Sequence, residues 1–140
     1  MIARHGGGWL AWRDRRAVAR IIGLALPAAA RDVRYVRWQA SRDLAYYEAV
    51  IRFSCSKEAY LEFIRARDMT PFSVTGPNLY LPTSWEAAPD MQPLPWWTPA
   101  PDTPPDAASA AVGSDGSIVA KWESGHTYVM VTDTGHRTGP

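Results

Sequence analysis

Cys55 is the chain's one cysteine. An intramolecular disulfide is therefore excluded, and cysteine usage says nothing about redox compartment. His5, His126 and His136, with that single thiol, show none of the ligand spacings of a zinc site. No metal and no cofactor are expected. Long apolar runs are also missing, and no stretch approaches the roughly 20 residues of a membrane-spanning helix. The nucleophile elbow G-x-S-x-G is absent. So is a phosphate loop, because Gly6-Gly7-Gly8 is not followed by Lys-Ser/Thr. These gaps remove disulfide scaffolds, zinc modules, helical membrane proteins, α/β-hydrolases and P-loop enzymes from consideration.

Aromatic residues and proline are plentiful. The 140 residues include 7 Trp and 12 Pro. Hydrophobic content of 46% and charged content of 21% are ordinary for a soluble globular chain. A chain of this length can bury a core without a staple.

Residues 33–68 carry the clearest pattern and read as strand, turn, strand, helix. Val33, Tyr35, Val36 and Trp38 mark a first strand, and Gln39 to Asp43 a polar turn. In the second strand Tyr47, Ala49, Ile51 and Phe53 share one face, and Tyr46, Glu48, Val50 and Arg52 the other. Tyr46 and Val50 on that outer face imply that it is partly covered. Ser56 is placed to cap a helix over 57–67, with Tyr60, Leu61 and Ile64 as its docking stripe. Ser124-Gly125 joins two further strands, 117–123 and 126–132, through a two-residue turn.

Between these units, residues 70–116 lack sustained periodicity, and ten of the prolines fall between Pro71 and Pro105. Leu79-Tyr80-Leu81 suggests a short strand. Trp85, Trp96 and Trp97 argue against a plain linker. The stretch reads as a long loop laid across the body and pinned by its aromatics. Tyr80, Trp85, Trp96 and Trp97 are the candidate ligand- or partner-binding residues, because recognition surfaces favour large rigid aromatics. Core filling is the competing explanation for each Trp.

Charge is unevenly placed. Residues 1–37 hold eight Arg against two Asp, a net of +6, and the other 103 residues hold seven basic against twelve acidic, a net of −5. This reads as a basic arm on an acidic body. Arg13, Arg15, Arg16 and Arg20 are the candidate contacts for an anionic partner. The arm can dock on its own body, on an anionic membrane or on nucleic acid; the acidic body and a sequence pI near 7.9 argue against nucleic acid. The stretch Arg13–Ala30 has the outline of a secretion signal, but its apolar run, Ile21–Leu26, is short for one. A leader or a misassigned start is the other account of residues 1–20.

Catalytic constellations are sparse. Asp133-Thr134-Gly135 after an apolar strand matches the local pattern of an aspartic protease, but an ordinary strand-ending turn is the simpler account. His126, Asp133 and His136 cluster in sequence near the final hairpin, where a histidine with a carboxylate offers general-base chemistry; a solvated position beside the turn or in the tail is the competing explanation for both histidines. No catalytic residue is assigned.

The run Leu26-Pro27-Ala28-Ala29-Ala30-Arg31-Asp32-Val33-Arg34 resembles an L-P-x-x-A-x-D-V-R opening found in small bacterial envelope proteins and lipoproteins of unknown function. There an apolar strand and short helix follow, here Ala49–Phe53 and Glu58–Ile64, then a Trp-containing stretch, here Trp96-Trp97, and a terminal hairpin. The resemblance implies a fold and no activity. This chain lacks the lipid-accepting cysteine of that pattern.

The expected architecture is α+β, an antiparallel sheet from two hairpins with one helix on one face (ββ-α-loop-ββ). Residues 1–23 form the arm or leader, 24–134 the domain, including the 70–116 loop, and 135–140 a tail. The expected role is a small non-enzymatic binding or accessory domain with protein partners. A hydrolase-like site near His126 and Asp133, and attachment to a membrane or nucleic acid through the arm, are the alternatives. Location stays open between cytoplasm, which is favoured, and bacterial envelope.

Overall fold

Residues 11–22 are built mainly of alanine, arginine and branched aliphatics, without proline or glycine, and helix suits them. The computed structural model, which describes residues 4–6, 11–41, 46–72, 94–99, 106–112 and 116–133, forms helix α1 here, Ala11–Ile22. Asp14 lies in its positive first turn and Arg20 in its negative last one. Gly23, at φ +84, ends it and donates its N–H to Ala19 O at 2.8 Å. That left-handed conformation is one glycine adopts without strain.

Val18 and Ile22, one turn apart on α1, belong to the main core together with Leu26 and Ala30. The guanidinium of Arg15 donates to Pro27 O at 2.7 Å and to Ala30 O, tying the helix to the turn that follows. This corrects the expected boundary at residue 23. The helix of the basic segment is a wall of the core, because its apolar stripe has a sheet to cover.

Seven strands are formed by the described residues: β1 Arg4–Gly6, β2 Arg31–Ser41, β3 Tyr46–Ser54, β4 Thr70–Phe72, β5 Asp106–Val112, β6 Gly116–Glu123 and β7 His126–Asp133. They make one antiparallel sheet in the order β1-β2-β3-β7-β6-β5-β4. With helix α2, Lys57–Ala66, the class is α+β. Ser56 caps α2, its Oγ accepting from Ala59 N–H at 3.1 Å. Both outer strands are three residues long, and one of them contains Pro71, which discourages pairing with another chain.

The architecture therefore exceeds the expected one by a helix and three strands. β4 and β5 lie within the stretch expected to be a loop. Alanine-rich β5, DAASAAV, has little intrinsic strand preference. Its full-length pairing with β6, from Asp106↔Trp122 to Val112↔Gly116, overrides that. Small side chains serve here. Ala108 and Ala120 are register partners, both fully buried, and Tyr60 of α2 reaches over them to donate to Ala120 O at 3.5 Å. Phe63 and Ile64 fill the same layer, and Phe63 meets Phe53 edge-on at 5.6 Å. The possible strand at 79–81 and the tail 135–140 fall outside the described residues.

The two helices are tied at their ends. Arg67, the C-cap of α2, donates from Nε to Ile22 O at 2.8 Å and so satisfies a terminal carbonyl of α1. At the hairpin joining β6 to β7, Ser124 and Gly125 have φ of 50 and 83, the tight turn whose twist matches antiparallel strands. Cys55 packs beside it. Its N–H donates to Gly125 O, its carbonyl accepts from Trp122 Nε1, and its Sγ lies 3.2 Å from Thr127 Oγ1.

Candidate functional site

Strand alternation divides the sheet into two faces. Tyr35, Ile51, Phe53, Ala120 and Val129 turn towards the helices. Val36, Val50, Tyr128 and Met130 turn away and form a second, smaller apolar cluster. Val36 and Val50 are direct register partners, as are Val50 and Met130. Both valines are buried, so this face has a cover.

The cover is the segment Leu94–Pro99. Trp97 is only 3% exposed and joins Val36, Val50 and Tyr128, meeting the Tyr128 ring edge-on at 5.4 Å. Trp96 is half-buried, perpendicular to Trp97 at 6.3 Å. Its carbonyl accepts from Arg52 Nη1 at 3.0 Å. The Thr98 hydroxyl lies 3.4 Å from that of Tyr128. Within the segment, Trp97 N–H donates to Leu94 O at 3.1 Å.

A charged cluster borders this cover. Arg34 and Arg52 are register partners on β2 and β3. Asp32 bridges them, accepting from Arg34 Nε at 3.0 Å and from Arg52 Nη2 at 2.7 Å. The bridge depends on an irregularity. The register shifts between Arg31 and Arg34, and Asp32 takes φ +50 there. Such a bulge re-aims a side chain. Burial raises the Asp32 pKa, but the hydrogen bond and charge of Arg34 and the charge and hydrogen bond of Arg52 outweigh it, leaving the carboxyl below its usual value. Arg52 is the more enclosed of the two cations, and its buried Nε has no partner among the described residues. Further along the same face, Lys121 is buried and pairs with Glu123 at 3.1 Å.

The aromatic candidates thus divide. Trp96 and Trp97 sit on the second face, Trp97 as core and Trp96 at its rim. Tyr80 and Trp85 fall outside the described residues. Among the arginines, Arg15 is tied internally through its two carbonyl acceptors, Pro27 O and Ala30 O. Arg16 and Arg20 are exposed on α1, and the Arg13 side chain falls outside the described residues.

The hydrolase-like pair of the sequence lies at the two ends of one strand. His126 and Asp133 are the first and last residues of β7. At about 3.3 Å per residue they lie roughly 23 Å apart along the strand. His126 pairs in register with Ser54 and Glu123, and Asp133 with Tyr47. Among the described residues no group of His, Cys, Asp or Glu is arranged to hold a metal, and no helix is long and apolar enough to cross a membrane.

Sequence reasoning missed Asp32, Arg34, Arg52 and Tyr128 as site residues. A signal existed: Arg52 and Val50 share the outer face of β3, an arginine beside a valine that requires cover. The arrangement presents guanidinium donors, a carboxylate and indole surface side by side. The chain matches no protein-family model, and neither curated proteins nor solved structures yield a match.

Proposed function

We propose that the protein is a small non-enzymatic binding or accessory domain that engages a protein partner across the second face of its sheet. The observation that carries this reading is Trp96. It is partly exposed, packed edge-on against buried Trp97 and fixed through its carbonyl to Arg52, which also bonds exposed Asp32. Rigid tryptophans next to arginine dominate binding energy in protein interfaces. A preorganised indole also loses little entropy on association.

A photoreactive phenylalanine derivative placed at Trp96 tests this in the native host, with Glu62 on the exposed side of α2 as control. A discrete adduct is expected at position 96, absent at 62 and lost with Arg34→Glu. Equal capture at both positions overturns the reading.

Exposed Arg16 and Arg20, one turn apart on α1, favour a second reading, peripheral contact with an anionic membrane. Co-sedimentation with phosphatidylserine vesicles checks it. Binding is expected for the native chain and not for the Arg16→Glu, Arg20→Glu double variant.

A further inference from the structure

Leu94–Pro99 is held as a bound peptide is held. One aromatic anchor, Trp97, fills an apolar seat made by Val36, Val50 and Tyr128. One backbone carbonyl, that of Trp96, accepts from an arginine of the sheet. One hydroxyl, Thr98 Oγ1, meets Tyr128 OH. Pro95 and Pro99 bracket the anchor and restrict the backbone, which lowers the entropy lost on docking. The seat belongs to β2, β3 and β7, and its polar contacts with the segment run through sheet side chains. Such a seat does not require that its occupant be covalently joined to the sheet. Arg52 also keeps a buried Nε with no partner among the described residues, so the segment leaves part of its donor capacity unused.

We infer that the second face is a receptor for a proline-flanked peptide that turns just before its tryptophan anchor, and that the chain's own residues 94–99 fill it in cis. This goes beyond the binding-domain reading above: it uses the same face of the sheet but a different contact, the seat beneath Trp97 in place of the outer side of Trp96. A partner segment of the same chemistry displaces the internal one, seats its indole between Val36, Val50 and Tyr128, and offers Arg52 a carbonyl from the preceding residue. Occupation in cis lowers the affinity seen by an outside peptide by the fraction of time the seat is open.

The test uses the full chain and an acetylated, amidated peptide of residues 92–100, QPLPWWTPA. In Trp97→Ala the internal anchor is gone. The peptide is expected to bind this variant roughly tenfold or more tightly than the native chain, and to raise its melting temperature while leaving the native one unmoved. A peptide with alanine at the position of Trp97 is expected to do neither. If Trp97→Ala does not fold, Trp97→Leu replaces it with the same expectations. Equal binding to native and variant chains, or none to a folded variant, overturns the inference. So does a native dimer that Trp97→Ala makes monomeric, because the occupant is then a second copy. If the peptide fails while adducts at position 96 still form, only this inference falls. If both fail, the binding-domain reading falls with it.

Discussion

Arg34 and Arg52 stand directly opposite one another on adjacent antiparallel strands. Like charges in that position repel, and the carboxylate of Asp32, swung over by a bulge, joins them. Asp32→Asn keeps the side-chain shape and the tolerance of left-handed backbone but removes the charge. Because Asp32 is exposed and Arg34 partly so, the expected loss is modest, about 0.5–1 kcal/mol. Chemical denaturation at low and high salt checks this. The difference from the native chain is expected to shrink as salt rises.

The same carboxylate sets a pH dependence. Its folded pKa lies below the ordinary 3.8. A depressed carboxyl contributes stability that is complete above its unfolded value and disappears as pH falls through its folded value. The native chain and Asp32→Asn are therefore expected to differ at neutral pH and to converge below about pH 3.8. Melting curves from pH 7 to pH 2.5 follow the convergence. A gap that widens on acidification contradicts the assignment.

Ile22 is buried in the main core at the end of α1. Ile22→Ala is expected to cost about 3 kcal/mol by urea unfolding, the usual figure for emptying a core site of this size. An exposed arm tolerates the same change within about 0.5 kcal/mol.

Cys55 is half-buried, and burial pushes its thiol above the usual 9.0 against the smaller opposing effect of the Thr127 hydrogen bond. The raised value favours the neutral thiol in the fold. Its contribution to stability is present below pH 9.0 and is lost as pH rises through the folded value. Alkylation by iodoacetamide at pH 8, followed by mass spectrometry, is expected to be slower than in denaturant, since the thiolate is the nucleophile. Equal rates rule this out.

Ser124 occupies the first central position of the β6–β7 turn with φ 50. Asparagine tolerates that conformation better, and Asn-Gly is the preferred pair in such turns. Ser124→Asn is expected to stabilise the chain by about 0.5 kcal/mol, seen as a higher melting temperature.

Elements with a strong local signal were legible in the sequence. The alternation through Ala49, Ile51 and Phe53, the cap at Ser56 and the glycine at 125 each describe their own element. β5 was not legible, because Asp106–Val112 is mostly alanine and becomes a strand only through β6. α1 was obscured for a different reason. Its arginines read as a solvated arm, while Val18 and Ile22 supply an apolar stripe whose meaning needs the sheet beneath. Of the site, Trp96 and Trp97 stood out by composition. Asp32, Arg34 and Arg52 did not, because their meeting depends on a bulge and a strand register that no local pattern announces.

The middle of the sheet has a bearing on how the protein is made. β3 pairs with β7, and register partners Ser54 and His126 are 72 positions apart. At roughly 5–20 residues per second, a ribosome needs several seconds to deliver the second after the first. During that interval the nascent β2–β3 hairpin presents an unpaired, valine- and isoleucine-bearing edge, the kind that invites association with other chains. Yield in the cell therefore depends on what shields that edge while the second half of the sequence is being translated.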